Sequence, residues 1–583
     1  MPGLFGYVDG DGLSYDDSVL RKMRELLLYV NINTCKSEPF YHGHGVHAGY
    51  CAPSFETVDQ HTFEVDGVIC WFDGEVYNID ELAGNHSSLL IPASPIPSQS
   101  PCVKKMLIAA YKSGVLNDFL RKADGYFSAV IHDTKNQQIK FITDRFGFRH
   151  LFYTVHSGTL IWASECKALL AHPDFKISVD RQSLDDFMNY GQLCDDKTWL
   201  DGVRLLEAAA VLTFDMRPRL IQREQYWSPQ EIGPLTGKTD VIELYEEWGK
   251  LLRLSAAKRT AHTAAHRTGI TLSGGLDSRA IFAAMPNPSD GGRINAVTLG
   301  DSRCDDVRIA SAVTKIKGAN HYTFPWKIDG WLERTFLGIW ATDGALDLSA
   351  QLGVRQFDEI SQLFDVCMNG IGGGAMQSGR TLGSSMSLEH GRTALGEPGL
   401  QMQCSRICRP GFRLDESYFK VRMPFFDNDL YEFLTALPDE VKRTRTFYWR
   451  ALLHNFPEYY KSIPWQQSGV PISLPKPLFE AGFFYNRVLS LIKRKLQGLG
   501  IPVFDSKLHF NTSTAISHKG NRAIAESLLS DKKAVWPDYI PGDVDSILNG
   551  GSGKLCRVLT FEIWMRMLND SDFRERTLVF GQS

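Results

Sequence analysis

Hydrophobic and polar positions along the first 215 residues alternate in short runs rather than in helical periods. Residues 45–50, 67–72, 126–132, 139–143, 151–155 and 159–163 each read as a strand. Turn chemistry separates them, as at Asp73-Gly74 and Phe146-Gly147. Two stretches, 17–29 and 101–113, carry apolar residues at helical spacing, and the Pro/Ser-rich stretch 91–101 between strands predicts a surface loop. Residues 228–240, with Pro229, Gly233, Pro234 and Gly237, read as a linker. Beyond it the pattern changes. A long helical segment over 241–259 is followed by a strand over 269–271, a second strand over 294–300, a helix over 306–317 and a third strand over 365–370. Strands alternating with helices predict a parallel α/β sheet, with ligands at the carboxyl ends of its strands. From about residue 380 the chain reads as mostly helical, and no internal repeat is present.

A chain of 583 residues is long enough for two or three domains, each with its own core. A hydrophobic content of 43% with 22% charged residues is that of a folded soluble protein, not a disordered one. The net charge of −4 predicts no bulk attraction to nucleic acid or membrane. One local exception, the basic run 487–495, reads either as an amphipathic helix with a solvated basic face or as a binding patch. The eleven cysteines form no Cys-x-x-Cys pair, and Cys404 and Cys408 lack partners at zinc spacing, so free thiols in a reducing cytosol are expected. Residues 1–6 have no signal-peptide character, and no apolar stretch reaches the ~18–20 residues needed to span a bilayer. A cytoplasmic location follows as the expectation.

The segment with most chemistry is Leu272-Ser273-Gly274-Gly275-Leu276-Asp277-Ser278, set between a strand and a helical run. A Gly-rich strand-to-helix turn aims backbone N–H groups and the helix dipole at a phosphate. Ser273 and Ser278 supply hydroxyl donors, and Asp277 supplies a carboxylate for Mg²⁺. The Gly-Lys-Ser/Thr ending of a Walker loop is absent. The segment resembles instead the pyrophosphate loop of the N-type ATP pyrophosphatases, which cleave ATP between the α- and β-phosphates.

Further segments extend the resemblance along nearly the whole chain. They are Met1-Pro2-Gly3-Leu4-Phe5-Gly6-Tyr7, Asp73-Gly74-Glu75-Val76-Tyr77-Asn78, Asp124-Gly125-Tyr126-Phe127, Asp144-Arg145-Phe146-Gly147 and Ala163-Ser164-Glu165-Cys166-Lys167 in the first half. In the second half they are Val297-Thr298-Leu299-Gly300, Asp305-Asp306, Asn369-Gly370-Ile371-Gly372-Gly373 and Arg422-Met423-Pro424-Phe425-Phe426-Asp427. In this order they resemble the class B, glutamine-hydrolysing asparagine synthetases and their relatives, the β-lactam synthetases and lasso-peptide cyclases. The resemblance implies an N-terminal Ntn-type αββα sandwich like a class II glutamine amidotransferase over 1–227, a linker over 228–240, and an ATP-pyrophosphatase domain with a helical C-terminal part over 241–583. It also implies an ATP site at Leu272, Ser273, Gly274, Gly275, Leu276, Asp277, Ser278, Leu299, Asn369 and Gly370, with Asp277, Asp305 and Asp306 near Mg²⁺.

The chain departs from this family at several positions. Where working glutaminases carry the N-terminal cysteine nucleophile, this chain has Pro2, which has no nucleophilic side chain. Asp73 replaces the asparagine of the oxyanion loop, and its charge opposes an oxyanion. Ser100-Pro101 supplies no carboxylate for a glutamine α-amino group, and no Arg-Gly-Pro-Asp-like segment stands around Tyr41-His42-Gly43-His44-Gly45. An inactive glutaminase is therefore expected. In the second Gly-rich loop, Gly374 and Ala375 replace an Asp-Glu pair, and Ile371 stands where β-lactam synthetases carry a tyrosine. Asp305, Asp306 or Asp343 would have to supplement Asp277 at the metal. Gln467 falls where the family has a pyrophosphate-binding lysine; Lys461 or Lys476 could substitute, or both could be surface lysines. Arg422 would orient a carboxylate or phosphate, or form a structural pair with Asp427.

The resemblance implies an ATP-dependent ligase that adenylates a carboxylate and joins it to ammonia or an amine. The substrate would be a small molecule or a peptide, with a carrier or partner biosynthetic protein as a further possibility and the oligomeric state open. The alternative is a non-catalytic relative that binds nucleotide or a partner. A third reading keeps the N-terminal half as a peptide- or carrier-binding module acting by strand addition.

Overall fold

The structure is a computed structural model. It describes residues 3–580 apart from 10–16, 29–35, 38, 53–61, 86–101, 157, 237–239, 262–266, 289–290, 351–355, 374–405, 407, 443–445 and 499–509. The predicted loop 91–101 and residues Pro2, Ser100, Pro101, Gly374, Ala375 and Cys404 lie outside the described residues.

Two antiparallel sheets build the first half. One runs Arg204–Leu205, Phe152–His156, Thr159–Ala163, Gly3–Val8, Val46–Ala52 and Lys36–Ser37, with Tyr41–Gly43 also paired to Val46–Ala52. The other runs Leu220–Gln225, Ala210–Asp215, Gln138–Thr143, Gly125–Asp133, Val68–Val76 and Thr62–Val65. Side chains alternate across each strand. Leu4, Val8 and Trp162 meet Ile69, Trp71, Phe141 and Leu212 between the sheets. Phe5 and Tyr7 point the other way, into a cluster with Leu20, Met23 and Leu27 of the helix Asp17–Leu27. On the far side, Val68 and Cys70 meet Met106 and Leu107 of the helix Val103–Lys112. The result is the αββα order expected for an amidotransferase-type sandwich. The edge hairpin Ala210–Asp215 and Leu220–Gln225 was not legible in the sequence, because its outer strand is exposed almost throughout and shows no apolar alternation.

The third sheet is wholly parallel. Its order is Asn320–Phe324, Asn295–Leu299, Thr268–Thr271, Val366–Met368 and Lys420–Arg422. The strand that comes first in the chain is central, with the second and fourth beside it. The chain winds outward in both directions from this point, so a crevice opens at the carboxyl ends of Thr268–Thr271 and Val366–Met368. The helix Val241–Ala261 buries Leu244, Trp248, Leu252 and Ala256 on one stripe, in a cluster with Ile270, Leu272 and Ile281. The C-terminal part is mostly helical, around Ser552–Asn569, a helix buried on nearly every side. Within it Lys420–Arg422 forms the fifth strand, which the sequence did not mark because three residues are too few to show a period of two.

Buried ion pairs and aromatic rings join the two halves. Arg259 lies between Asp124 and Asp427, 3.0 Å from each carboxylate. Burial raises the Asp124 carboxyl against the pull of Arg259, and the Asp427 charge raises it further. At Asp427 the burial penalty is outweighed by Arg259, the Asp124 hydrogen bond and Lys258 acting together, so its carboxyl is lowered. Tyr126 donates its hydroxyl to the Met423 carbonyl at 2.5 Å. The Phe148 and Phe146 rings meet the Phe426 ring edge-on, with centroids 4.8 and 5.3 Å away. Asp144 accepts four backbone N–H groups, from Phe127, Phe146, Phe148 and Arg149, which fixes the turn carrying those rings.

Replacing Arg259 with Ala strips the partner from two buried carboxylates. This should cost about 3–5 kcal/mol and appear as a large drop in the thermal unfolding midpoint. Lys258→Ala, which removes a half-buried lysine beside the same carboxylates, should lower the midpoint much less. Equal effects from the two variants would show that Arg259 is not the pivotal charge.

Candidate functional site

The central strand Thr268–Thr271 delivers residues 272–276 into the crevice, and the helix Asp277–Ala284 carries them away. Leu272 continues the strand, donating its N–H to the Val297 carbonyl at 2.8 Å, while the Thr298 hydroxyl donates to the Leu272 carbonyl at 2.7 Å. The loop then turns inward on itself. Ser278 Oγ lies 3.0 Å from Ser273 Oγ and accepts the Ser273 N–H. Ser273 Oγ accepts the Gly275 N–H at 3.2 Å. Asp306, on the helix Asp305–Lys317, accepts the Gly274 N–H at 2.6 Å. These bonds hold the turn in one shape before any ligand arrives.

Side chains distant in sequence support the loop. Arg279 is fully buried, and its guanidinium donates to the carbonyls of Gly274, Pro464, Tyr459 and Ile463. The Gln466 N–H donates to the Gly274 carbonyl at 3.2 Å, so the segment expected to carry a pyrophosphate contact does border the loop. Tyr460 donates its hydroxyl to the Leu276 carbonyl at 2.8 Å. Tyr448 donates to Asp277 Oδ1 at 2.7 Å. Burial, reinforced by the Asp277 charge, pushes the Tyr448 phenol far above its ordinary range, so Tyr448 stays a donor. Arg279, Tyr448 and Tyr460 had no motif to mark them; tertiary packing alone brings them to the loop.

The opposite wall is the second Gly-rich loop. The Asn369 amide donates to the Thr271 hydroxyl at 3.2 Å, its carbonyl oxygen accepts the Ile371 N–H at 2.9 Å, and its backbone N–H donates to the Arg422 carbonyl at 2.9 Å. A Cβ at Gly373 would stand 2.7 Å from Asp277 Cγ, and one at Gly370 would strike the Ser278 backbone nitrogen. Both positions need glycine because this loop lies directly against the start of the helix Asp277–Ala284.

The predicted site residues therefore divide. Leu272, Ser273, Gly274, Gly275, Leu276, Asp277, Ser278, Asn369 and Gly370 come together, and Leu299 ends the neighbouring strand. Other expectations are corrected. Arg422 is buried with its side chain turned toward the other half, 2.7 Å from Glu75 and bonded to the Arg259 carbonyl. It neither faces the crevice nor pairs with Asp427, whose partners are Arg259 and Lys258. Asp343 belongs to the interface, held by Lys167 at 3.1 Å and Arg413 at 2.7 Å. Asp305 pairs with Arg308 at 3.2 Å, and Asp306 fastens the loop. Lys461 and Lys476 are exposed, with Lys476 3.9 Å from Glu480. Neither makes a side-chain contact to the loop among the described residues.

Among the described residues no three metal-ligating side chains cluster. The donor set is one loop carboxylate, Asp277, beside the Ser273 and Ser278 hydroxyls. That fits Mg²⁺, which takes one or two carboxylates and draws its other ligands from phosphate and water. In the first half, Asp73 is buried with Arg149 3.8 Å away, and burial raises its carboxyl.

Comparison with known families agrees with both halves. Residues 59–227 match the glutamine amidotransferase domain family, and residues 247–394 match the asparagine synthase family. Asparagine synthetase (glutamine-hydrolyzing) 2 of Bacillus subtilis (strain 168) is 28% identical over 238 residues, covering 38% of this chain and 30% of the relative. Asparagine synthetase (glutamine-hydrolyzing) 3 of the same organism is 26% identical over 223 residues, covering 38% of this chain and 34% of the relative. The chain thus spans about a third of the length of these relatives. An amidotransferase-type sandwich locked onto a parallel sheet with a Gly-rich loop at its switch point, matched in that order by the two domain families, places the chain in the asparagine synthetase-like family.

Proposed function

We propose that this protein is an ATP-dependent carbon–nitrogen ligase that does not use glutamine. The observation carrying the reading is the preformed loop 272–278, packed against Asn369–Gly370 at the switch point of a parallel sheet. A triphosphate laid along this loop meets the Ser273 and Ser278 hydroxyls and the positive end of the helix Asp277–Ala284. A substrate carboxylate oxygen attacks the α-phosphorus, the bond to the bridging oxygen breaks, and pyrophosphate leaves. Ammonia or a substrate amine then attacks the acyl carbon, and AMP departs with the bonding electrons. Asp277 is the residue that would hold Mg²⁺, which when bound neutralises charge on the phosphate oxygens. Tyr448 holds that carboxylate in place, and Arg279 keeps the loop backbone in register.

By the family resemblance, Pro2 stands at the position of the nucleophile, and Asp73, a buried acid, at that of the oxyanion-loop asparagine. The nitrogen then comes from ammonia or an amine. This favours a small-molecule or peptide carboxylate in specialised metabolite, macrolactam or glycan modification. A carrier or partner biosynthetic protein would present the substrate, and a cytoplasmic setting suits an ATP-consuming step. A nucleotide-binding scaffold is the second reading, favoured by Gln467 in place of a lysine and by the exposed Lys461 and Lys476.

ATP–pyrophosphate exchange across a panel of carboxylates and amino acids, with Mg²⁺ present, tests the ligase. Exchange dependent on one carboxylate is expected, and Asp277→Asn should reduce it by ~10²-fold or more. ATP binding without exchange for any carboxylate would favour the scaffold instead. Tyr448→Phe keeps the ring and loses one hydrogen bond to a charged group, so exchange should fall by roughly 10-fold or more. An unchanged rate would remove Tyr448 from a positioning role. Glutamine hydrolysis should stay at background in the intact chain, and measurable glutamate release would contradict the inactive amidotransferase half.

A further inference from the structure

We propose that the outward face of the helix Lys476–Gly498 docks this protein on an anionic lipid surface. Seven of the fourteen exposed large hydrophobic side chains among the described residues lie on this one helix: Leu478, Phe483, Phe484, Tyr485, Val488, Leu491 and Ile492. The other seven are scattered over the first 316 residues. At 3.6 residues per turn, all but Phe483 fall within a sector of about 140°. Phe484 is 69% exposed and Tyr485 63%, so the sector is open among the described residues. A concentrated apolar stripe of this kind marks an interaction site, whereas single exposed apolar residues do not.

The stripe faces outward because the opposite side of the helix is fastened. Phe479 is buried, its ring 4.8 Å from Trp449 and stacked on Trp465 at 6.4 Å. The Asn486 amide donates to the Ser468 carbonyl at 2.7 Å. The expected amphipathic helix is present, with Arg487 and Lys495 exposed on it, but much of its apolar surface points to solvent as well.

Charge selects the occupant. Residues 476–498 carry five basic residues (Lys476, Arg487, Lys493, Arg494 and Lys495) and one acidic residue, Glu480, giving 5 − 1 = +4 in a chain whose net charge is −4. By helical position, Lys476 and Arg487 border one edge of the stripe, Lys493 the other, and Lys495 its C-terminal end. A second copy laid against this helix would bring +4 against +4. An anionic lipid surface satisfies both features, apolar side chains entering the headgroup boundary and basic ones meeting lipid phosphates. No described helix is long and apolar enough to cross a membrane, so the mode is peripheral. This inference stands apart from the ligase reading and needs no nucleotide.

The test is co-sedimentation of the full chain with vesicles of phosphatidylcholine alone or with 30 mol% phosphatidylglycerol, at low and at physiological salt. Binding should be about tenfold or more tighter to the anionic vesicles and should weaken with salt. Phe484→Ser with Leu491→Ser, and separately Arg487→Glu with Lys495→Glu, should each reduce binding by about tenfold or more. Both pairs alter exposed side chains, so the thermal midpoint should be unchanged. Failure to bind either vesicle, or binding that neither variant weakens, would overturn the proposal. Concentration-dependent self-association, abolished by the serine pair with no vesicle binding, would assign the face to a second copy and overturn it equally.

Discussion

Arg259, buried between Asp124 and Asp427, ties together three parts of the chain. The arginine comes from the long helix that covers the parallel sheet. Asp124 opens the strand Gly125–Asp133 of the sandwich, and Asp427 caps the helix Asn428–Ala436 through the N–H groups of Asp429 and Leu430. Charges out of water are tolerated only when each finds its partner in good geometry, so a small slide of one half over the other would orphan all three groups. The pairs Arg422–Glu75 and Lys167–Asp343–Arg413 repeat the same constraint along the interface. Aromatic packing of Phe146 and Phe148 on Phe426 supplies contact area, while the ion pairs specify a single docking geometry.

This interface reaches the loop 272–278 through one strand. Arg422 is the last residue of Lys420–Arg422; its side chain is committed to Glu75, while its carbonyl accepts the Asn369 N–H. The amidotransferase-type half thus braces the second Gly-rich loop, which lies against Asp277 and Ser278. That contact gives the sandwich a structural purpose independent of glutamine chemistry. Asp124-Gly125 and Asp144-Arg145 look like catalytic-family motifs, but here they anchor the interface and form the turn that carries its rings.

Much of the architecture was legible in the sequence. Short apolar runs located six of the thirteen described sandwich strands, and the strand–Gly-loop–helix order located the crevice, because local backbone chemistry decides both. Long elements agreed within a few residues: the helix expected over 241–259 is Val241–Ala261, and that expected over 306–317 is Asp305–Lys317. Strands whose stability comes from neighbours were missed, as with Lys420–Arg422, which is three residues long, and Leu220–Gln225, which is exposed.

Partners of charged side chains were the least legible. Residue type places a guanidinium in a motif but not the carboxylate it meets, since that depends on segments hundreds of residues apart. Arg422 with Glu75, Asp343 with Lys167 and Tyr448 with Asp277 are such cases. By itself the sequence determined the family, the order of the halves and the composition of the Gly-rich loop 272–278, because these rest on local spacing and turn chemistry. Only the tertiary structure decided which acids and bases support the loop, which lock the halves, and which side of the helix Lys476–Gly498 faces solvent. Burial and long-range packing set those choices, and neither is encoded in any single stretch of chain.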